Sequence, residues 1–199
     1  MIPINTLLAA YRAGAFPMAV DGQVSWYAPV HRGVLPIDTF HVPRRLRRLI
    51  RQRRFKTTIN HNFRGVICAC ASRSDEEGNW ISDEIIDSYS VLHEAGFAHS
   101  VEVWSASRLV GGLYGVSLGS AFFGESMFHI ETDASKVALY SLVKRLREKG
   151  YQLLDVQWLT SHLVQFGAVE ILQSEYLERL QFALKRECQF VDSSTGELK

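Results

Sequence analysis

The pattern of apolar and polar positions is organised around one stretch, from Leu109 to Ile171. Three apolar runs in it, Leu109–Val116, Ser120–Phe128 and Gln152–Trp158, have the length and composition of strands. Between the second and third, Ala138, Leu139, Leu142, Val143 and Leu146 fall on one helical stripe. Asp133 stands at an N-cap position and Gly150 just past the helix end, so both ends of this helix have chemical punctuation. Strand, helix, strand implies a crossover and a locally parallel pair, with the helix covering one face of the sheet.

The remaining elements follow in chain order. A short helix runs from Met1 to about Gly14 with Leu7, Leu8 and Tyr11 on one face. AFPM and VSWYAPVHRG are rich in aromatics and proline and have no helical period. Gly33–Ile37 reads as a strand, and Pro43 opens a helix seated by Leu46, Leu49 and Ile50. Phe55–Ile59 is a strand and Phe63–Ala71 a helix. After the polar loop SRSDEEGNWIS, Ser82 caps a helix over Asp83–Ala95 that turns Ile85, Ile86, Tyr89 and Leu92 inward and stops at Gly96. HSVEVW alternates as a strand, SASR turns the chain, Ser174 caps a last helix through about Arg186, and VDSSTGELK is a polar tail. The fold class is α/β (α+β): a mixed sheet with flanking helices over residues 32–199, preceded by a short segment at 1–31.

Composition changes this picture little. The 199 residues are enough for one substantial core, and 47% hydrophobic and 22% charged residues are ordinary for a globular chain. No apolar run reaches membrane-spanning length, and MIPINTLLAAYRAG lacks the basic and long apolar regions of a signal peptide. A cytoplasmic protein with no membrane partner is expected. Cys68, Cys70 and Cys188 form neither a CxxC pair nor a zinc spacing, so free thiols and no metal are expected.

Charge changes it more. The formal net charge of +1 does not point to nucleic acid, but its distribution does. HVPRRLRRLIRQRRFK carries Arg44, Arg45, Arg47, Arg48, Arg51, Arg53, Arg54 and Lys56 with no Asp or Glu between them. Guanidinium forks match phosphate oxygens, so this helix is a candidate phosphate-backbone patch that supplies affinity rather than sequence discrimination.

Candidate chemistry lies where polar residues interrupt apolar strands. GESMF puts Glu125 and Ser126 in one such run, and LLDVQ puts Asp155 and Gln157 two apart, on one side of another. Burying such groups unpaired costs on the order of several kcal/mol. Two intrusions on strands joined by one crossover point to a site.

The words AYRAGAFPM, WYAPVHRGVLP, GESMF, DASKVAL, LLDVQ and FGAVEI, in this order over roughly Leu7 to Tyr176, resemble the leucyl/phenylalanyl-tRNA–protein transferase family. The resemblance implies a catalytic domain similar to the GNAT superfamily. It implies transfer of Leu or Phe, with Met a further candidate, from aminoacyl-tRNA to the N-terminal Arg or Lys of a protein, which marks that protein for degradation. No cofactor is implied, and a monomer is expected. Arg44, Arg45, Arg47, Arg48 and Arg51 become the tRNA contacts. The segment with Trp26 borders the aminoacyl-adenosine site, and Met18, Trp80, Ser126 and Met127 join it as substrate contacts. Leu113, Phe122 and Leu154, which flank the polar residues, are candidates for the apolar side-chain pocket.

Within that reading Asp155, Gln157 and Glu125 are the catalytic candidates. Asp155 either handles the proton of the attacking amine or, with Glu125, binds the cationic acceptor; Gln157 holds substrate or orients Asp155. Two other classes stay open. An acyl-CoA acetyltransferase of the same fold is opposed by the turn HIETDASK, which has no glycine to let a diphosphate approach the backbone and two acids to repel it. A non-catalytic RNA-binding module would use the arginine helix and leave Glu125, Asp155 and Gln157 without a purpose. His129 and His162 fall in no nucleophile or metal arrangement and are given structural or surface roles.

Overall fold

The computed structural model describes residues 1–72 and 80–192. The polar loop and tail expected at 72–82 and 191–199 fall largely on residues outside these. The chain begins with α1 (Ile4–Arg12), β1 (Phe16–Val20), β2 (Gln23–Tyr27), β3 (His31–Val34), α2 (Arg44–Arg51) and β4 (Lys56–Ile59). It continues through α3 (Phe63–Ala71), α4 (Asp83–Glu94), β5 (Ala98–Ser105), β6 (Arg108–Leu118), β7 (Ala121–His129) and α5 (Ala134–Lys149). Then come β8 (Leu153–Gln157), the single turn α6 (Ser161–Val164), β9 (Val169–Leu172) and α7 (Gln173–Leu184).

Seven strands form one mixed sheet in the order β4-β5-β6-β7-β8-β3-β9. Neighbours are antiparallel except β7 and β8, which run parallel because α5 carries the chain back across the sheet. The expected mixed α/β architecture and its crossover are therefore both present. Each face of the sheet has its own core. One, under α1, α3, α4 and α7, contains Leu7, Tyr11, Val66, Tyr89, Phe123 and Tyr176. The other, under α2 and α5, contains Leu46, Leu113, Phe122, Leu142 and Leu154.

Local chemistry accounts for the helix ends, with two corrections. Ser82 Oγ accepts from the Ile85 amide at 3.4 Å, and Gly150 closes α5 in the left-handed region at φ 74°. Asp133 precedes α5 but makes no side-chain cap: its own φ is 68°, and its carboxylate instead meets Arg45 at 2.9 Å and Lys136 at 2.8 Å. Two cations outcompete the helix amides for those oxygens. Ser174 lies inside α7, whose N-cap is Leu172 with no side-chain bond, because β9 runs directly into the helix.

Three strand assignments also change. Residues 16–27, which show no helical period, are a β-hairpin closed by Asp21 and Gly22, both at positive φ, the pair a tight hairpin turn needs. The strand expected at Gly33–Ile37 is His31–Val34, earlier by the width of the bridge it makes between β8 and β9. Gly33 lies so close to β8 that a Cβ there would sit 2.8 Å from the Trp158 carbonyl carbon, so only glycine fits without backbone movement. Beyond these, β9 is an edge strand too short to stand out by alternation.

Candidate active site

Glu125 owes its position to a bulge. Tyr114 pairs with Ser126 but Gly115 pairs with Gly124, leaving Glu125 as the extra residue of β7. Its carboxylate enters the core face covered by α1 and α4. There Tyr11 Oη donates to Oε1 at 2.7 Å and Gln157 Nε2 to Oε2 at 3.1 Å, while Tyr89 Oη lies 3.5 Å from Oε2. The two tyrosine hydroxyls also share a short hydrogen bond with each other. Burial pushes the Glu125 carboxyl up to about 7; the bonds from Tyr11 and Gln157 and the Arg32 charge pull it down, while Asp155 pushes it further up. Burial, with the Glu125 charge, raises both phenols well above their ordinary value.

Asp155 is held quite differently. Arg32 donates from Nε to Oδ1 at 2.9 Å and from Nη2 to Oδ2 at 2.6 Å. Tyr176 Oη donates to Oδ2 at 2.6 Å, and the Gln157 amide to Oδ1 at 2.8 Å. Each oxygen thus accepts two bonds, which fills its lone pairs. The Arg32 guanidinium lies between the rings of Phe16 and Tyr176, at 4.6 and 4.5 Å from their centroids, and also donates to the Gly14 carbonyl at 3.0 Å. Burial lowers its pKa, but the charge and hydrogen bonds of Asp155, with the charges of Tyr176 and Glu125, together outweigh that, and the net shift is upward. The Tyr176 phenol is raised by burial and by Asp155.

Gln157 joins the two halves. Its φ of 63° is uncommon for a side-chain-bearing residue, and the Asp155 carboxylate holds that conformation through the Gln157 amide. The turn aims the carboxamide at Glu125. Glu125 and Gln157 retain 7% and 6% exposure while Asp155 has 0% and Arg32 1%, so the first pair lies nearer the surface than the second. Beside them Trp158, 38% exposed, meets Phe16 and Tyr27 edge-on.

The sequence-predicted residues divide between two places. Glu125, Asp155 and Gln157 come together as described. Met18 and Trp80 are half-buried against the same core, where Ala19 donates its amide to the Trp80 carbonyl at 3.0 Å; Trp26 on β2 is exposed, and Ser126 is half-buried beside the bulge. Leu113, Phe122 and Leu154 lie on the opposite face of the sheet, in the core under α5, and Met127 packs there too. Leu154 directly precedes Asp155 on β8 and so points to the other side, and the bulge at Glu125 shifts the alternation of β7 so that Met127 does too. His129 is exposed; His162 is half-buried beside Phe166, and burial lowers its pKa. Tyr11 and Tyr89 were expected only as core residues of their helices, and Arg32 and Tyr176 were not expected at the site. Arg32 gave no such signal as Glu125 did, because the strand was expected to begin at Gly33, but a tyrosine on a buried helix face needs a partner for its hydroxyl.

On the other side of the molecule the arginine helix packs on α5 through Leu46, with Leu49 and Ile50 half-buried. Its exposed face holds Arg44, Arg45, Arg47, Arg48 and Arg51. The acids missing from this stretch in sequence arrive in space: Asp133 meets Arg45, and Glu131 meets Arg54 at 2.6 Å. Arg44, Arg47, Arg48 and Arg51 have no carboxylate within 4.0 Å among the described residues. The turn that opposes a diphosphate thus braces two arginines. Among the described residues no cluster of His, Cys, Asp and Glu is placed to hold a metal, and no helix is long and apolar enough to cross a membrane.

Comparison with known proteins places these residues in a lineage. Among solved structures the chain is similar to L-PGS from Bacillus licheniformis, at TM-score 0.43 and 12% identity, covering 76% of this chain and 49% of that one. It is also similar to a conserved protein of unknown function from Staphylococcus epidermidis, at TM-score 0.45 and 10% identity over 86% of this chain and 65% of that one. Sequence likeness is far stronger. A leucyl/phenylalanyl-tRNA–protein transferase of Maricaulis maris is 53% identical over 188 residues, 92% of this chain and 87% of the relative. One from Chlorobaculum parvum is 50% identical over 194 residues, 96% of this chain and 100% of the relative. The family model for leucyl/phenylalanyl-tRNA protein transferase matches residues 34–181, the span that supplies Glu125, Asp155, Gln157 and Tyr176, and the model for its N-terminal domain matches 2–30, the span that supplies Tyr11. The two matches together take in every member of the buried array except Arg32, and the chain belongs to the leucyl/phenylalanyl-tRNA–protein transferase family.

Proposed function

We propose that this protein moves a leucyl or phenylalanyl group from aminoacyl-tRNA to the N-terminal amine of a protein, with Arg or Lys as the acceptor residue. Aminoacyl transfer from tRNA to protein follows from the family; the acceptor preference and the residue roles are our reading. The observation that supports it best is the pairing of a titratable Glu125 with a Gln157 whose backbone Asp155 fixes.

The reaction is aminolysis of an ester. The acceptor nitrogen attacks the carbonyl carbon, the bond to the ribose oxygen breaks, and that oxygen leaves with a proton. The ester is already activated, so a covalent nucleophile is not needed, and an α-amine with a reference pKa near 8 is nucleophilic close to neutrality. Position and proton removal are what the site must add. In this reading Glu125 accepts the proton of the incoming ammonium, since a base near pH 7 is matched to an amine near 8. Gln157 orients Glu125 and keeps its own carboxamide oxygen for substrate. Asp155 acts through Gln157 as a positioning residue, because its oxygens are already filled.

Charge supports a basic acceptor. Arg32 compensates Asp155, so an ionised Glu125 leaves the array one negative charge to set against an N-terminal Arg or Lys. The exposed arginines of α2 are the proposed tRNA backbone contacts, and the aromatic hairpin with Trp158 the proposed neighbour of the esterified ribose. Residues of one chain complete the array, which supports a monomer; charged tRNA as donor supports a cytoplasmic location and a role in marking proteins for degradation.

Labelled leucine on tRNA, offered to one protein beginning with Arg and to another beginning with Ala, tests the reading. Label on the first alone is expected. Label on neither, with tRNA still bound, would overturn it and leave an RNA-binding protein.

A further inference from the structure

At the end of the sheet away from Gln157, where β5 begins and β6 turns into β7, lies a cavity of about 540 Å³. The end of α1, the turn from α4 into β5 and the segment after α7 flank it. Two opposite charges line it, Arg12 and Glu187, and among the described residues no other Asp, Glu, Lys or Arg does. Both are exposed, and neither has an ion-pair partner within 4.0 Å among the described residues. They therefore face one cavity without meeting across it, which leaves room for a ligand that bears both charges.

The two histidines of the lining are placed by hydrogen bonds. Burial pushes His99 down to about 3, helped by His93 and Arg145, so its ring carries no charge at neutral pH. Its tautomer is fixed as well. The Ser100 amide donates to Asn60 Oδ1 at 3.0 Å, so Asn60 Nδ2 donates to His99 Nδ1 at 2.9 Å and the ring proton sits on Nε2. His93 Nδ1 donates to the Ala98 carbonyl at 2.7 Å, which leaves Nε2 of the neutral ring as an acceptor. Phe97, Leu184 and Val191 add half-buried apolar surface. The cavity thus offers one cation, one carboxylate, neutral polar groups and an apolar wall, at a size common for small-molecule sites.

These groups discriminate between ligand classes. A phosphate ester would meet Glu187, and a purely apolar compound would use neither charge. A residue at a chain terminus brings one charge of the two. A free α-amino acid brings an ammonium, a carboxylate and a side chain on one carbon. We propose that this cavity binds a free amino acid with an apolar side chain, its carboxylate on Arg12, its ammonium on Glu187 and its side chain against Phe97 and Leu184. Arg12 follows Tyr11 at the end of α1, and Tyr11 donates to Glu125 at 2.7 Å, so an occupied cavity bears on the turn that reaches the Glu125 array. The site lies beyond the transfer reaction and does not rest on it.

The test is calorimetric titration of wild type, Arg12→Gln and Glu187→Gln with phenylalanine and with leucine, without tRNA. Both side chains are exposed, and circular dichroism checks the fold. Wild type should bind in the micromolar to millimolar range expected for so small a ligand, and each variant about tenfold more weakly. Altering the ligand repeats the test on an unchanged protein. N-acetylphenylalanine lacks the ammonium and phenylalaninamide the carboxylate, so both should bind wild type about tenfold more weakly than phenylalanine. Serine, without an apolar side chain, should bind more weakly than leucine. No binding of either amino acid at about 10 mM would overturn the proposal. So would equal affinity in all three proteins, which would place the amino acid elsewhere on the molecule, or equal affinity for phenylalanine and its two derivatives. A protein that binds phenylalanine through Arg12 and Glu187 but transfers no leucine would remove the transferase reading and leave this site standing.

Discussion

Arg32 and Asp155 meet through two hydrogen bonds, 2.9 and 2.6 Å long, with both side chains closed to solvent. A buried pair of this kind adds little net stability, but removing one partner strands the other. Arg32→Gln should therefore lower unfolding free energy by about 3–5 kcal/mol in urea titrations. Adding Asp155→Asn should recover part of the loss. A single Arg32→Gln protein as stable as wild type would show that the pair is not closed as described.

Glu125 ties stability to pH with a definite sign. Its folded carboxyl titrates at about 7 against 4.5 for a free one, so the native state holds a proton that the unfolded chain has released. Its contribution is full below the unfolded value and is lost as pH rises through about 7. Relative to Glu125→Gln, the wild type should lose roughly 3 kcal/mol of stability between pH 4 and pH 8, since each tenfold change in proton affinity is worth about 1.4 kcal/mol. Thermal or urea unfolding at both pH values measures it; parallel changes in the two proteins would contradict a carboxyl that burial keeps protonated.

Transfer should follow the same group in the opposite sense. Ionised Glu125 takes the ammonium proton, so wild-type turnover should rise with pH through an inflection near 7. Glu125→Gln should be slower by about 10²–10⁴ and lack that inflection. An unchanged profile in the variant would move the base elsewhere.

Gln157 allows backbone and side chain to be separated. At φ 63° glycine is at ease, so Gln157→Gly should be more stable than Gln157→Ala by about 1 kcal/mol, although both lose the carboxamide. It deletes the carboxamide on Glu125, a bond to a charged group worth about 1.5–3 kcal/mol, so turnover should fall roughly 10- to 100-fold. Stability and rate moving together would mean that the turn, not the amide, matters.

Arginines of α2 should not be equivalent. Arg45 is already opposed by Asp133 at 2.9 Å, whereas Arg44, Arg48 and Arg51 face no such acid among the described residues. Neutralising Arg48 should cost more tRNA affinity, and more of the salt slope, than neutralising Arg45. Competition binding at two salt concentrations resolves the difference.

What sequence made legible was local. The stripe Ala138 to Leu146, the Ser82 cap and the Gly150 stop are written in neighbouring residues, and each reappears in the fold. Asp21–Gly22 is an equally local hairpin signal, masked by the aromatics and prolines around it, which break any clear alternation. The period of two already assigned Phe122 and Leu154 to the face away from the acids on their strands, and proximity in sequence hid this. Glu125 and Asp155 stood out because charge in a strand is costly. Their partners did not: Tyr11 and Arg32 reach them from far along the chain, and no spacing rule connects such positions.

That distance sets a clock. Arg32 bonds Asp155 across 123 positions, and Tyr11 bonds Glu125 across 114. At about 5–20 residues per second of synthesis, the first strands wait roughly 6–25 s for the residues that complete the array. A ribosome-bound chain that has made its arginine helix can already attract RNA, yet has no assembled centre with which to modify anything. Competence arrives only once Asp155 and Tyr176 have been made, so a copy stopped before them is inert among the nascent N-termini that surround it.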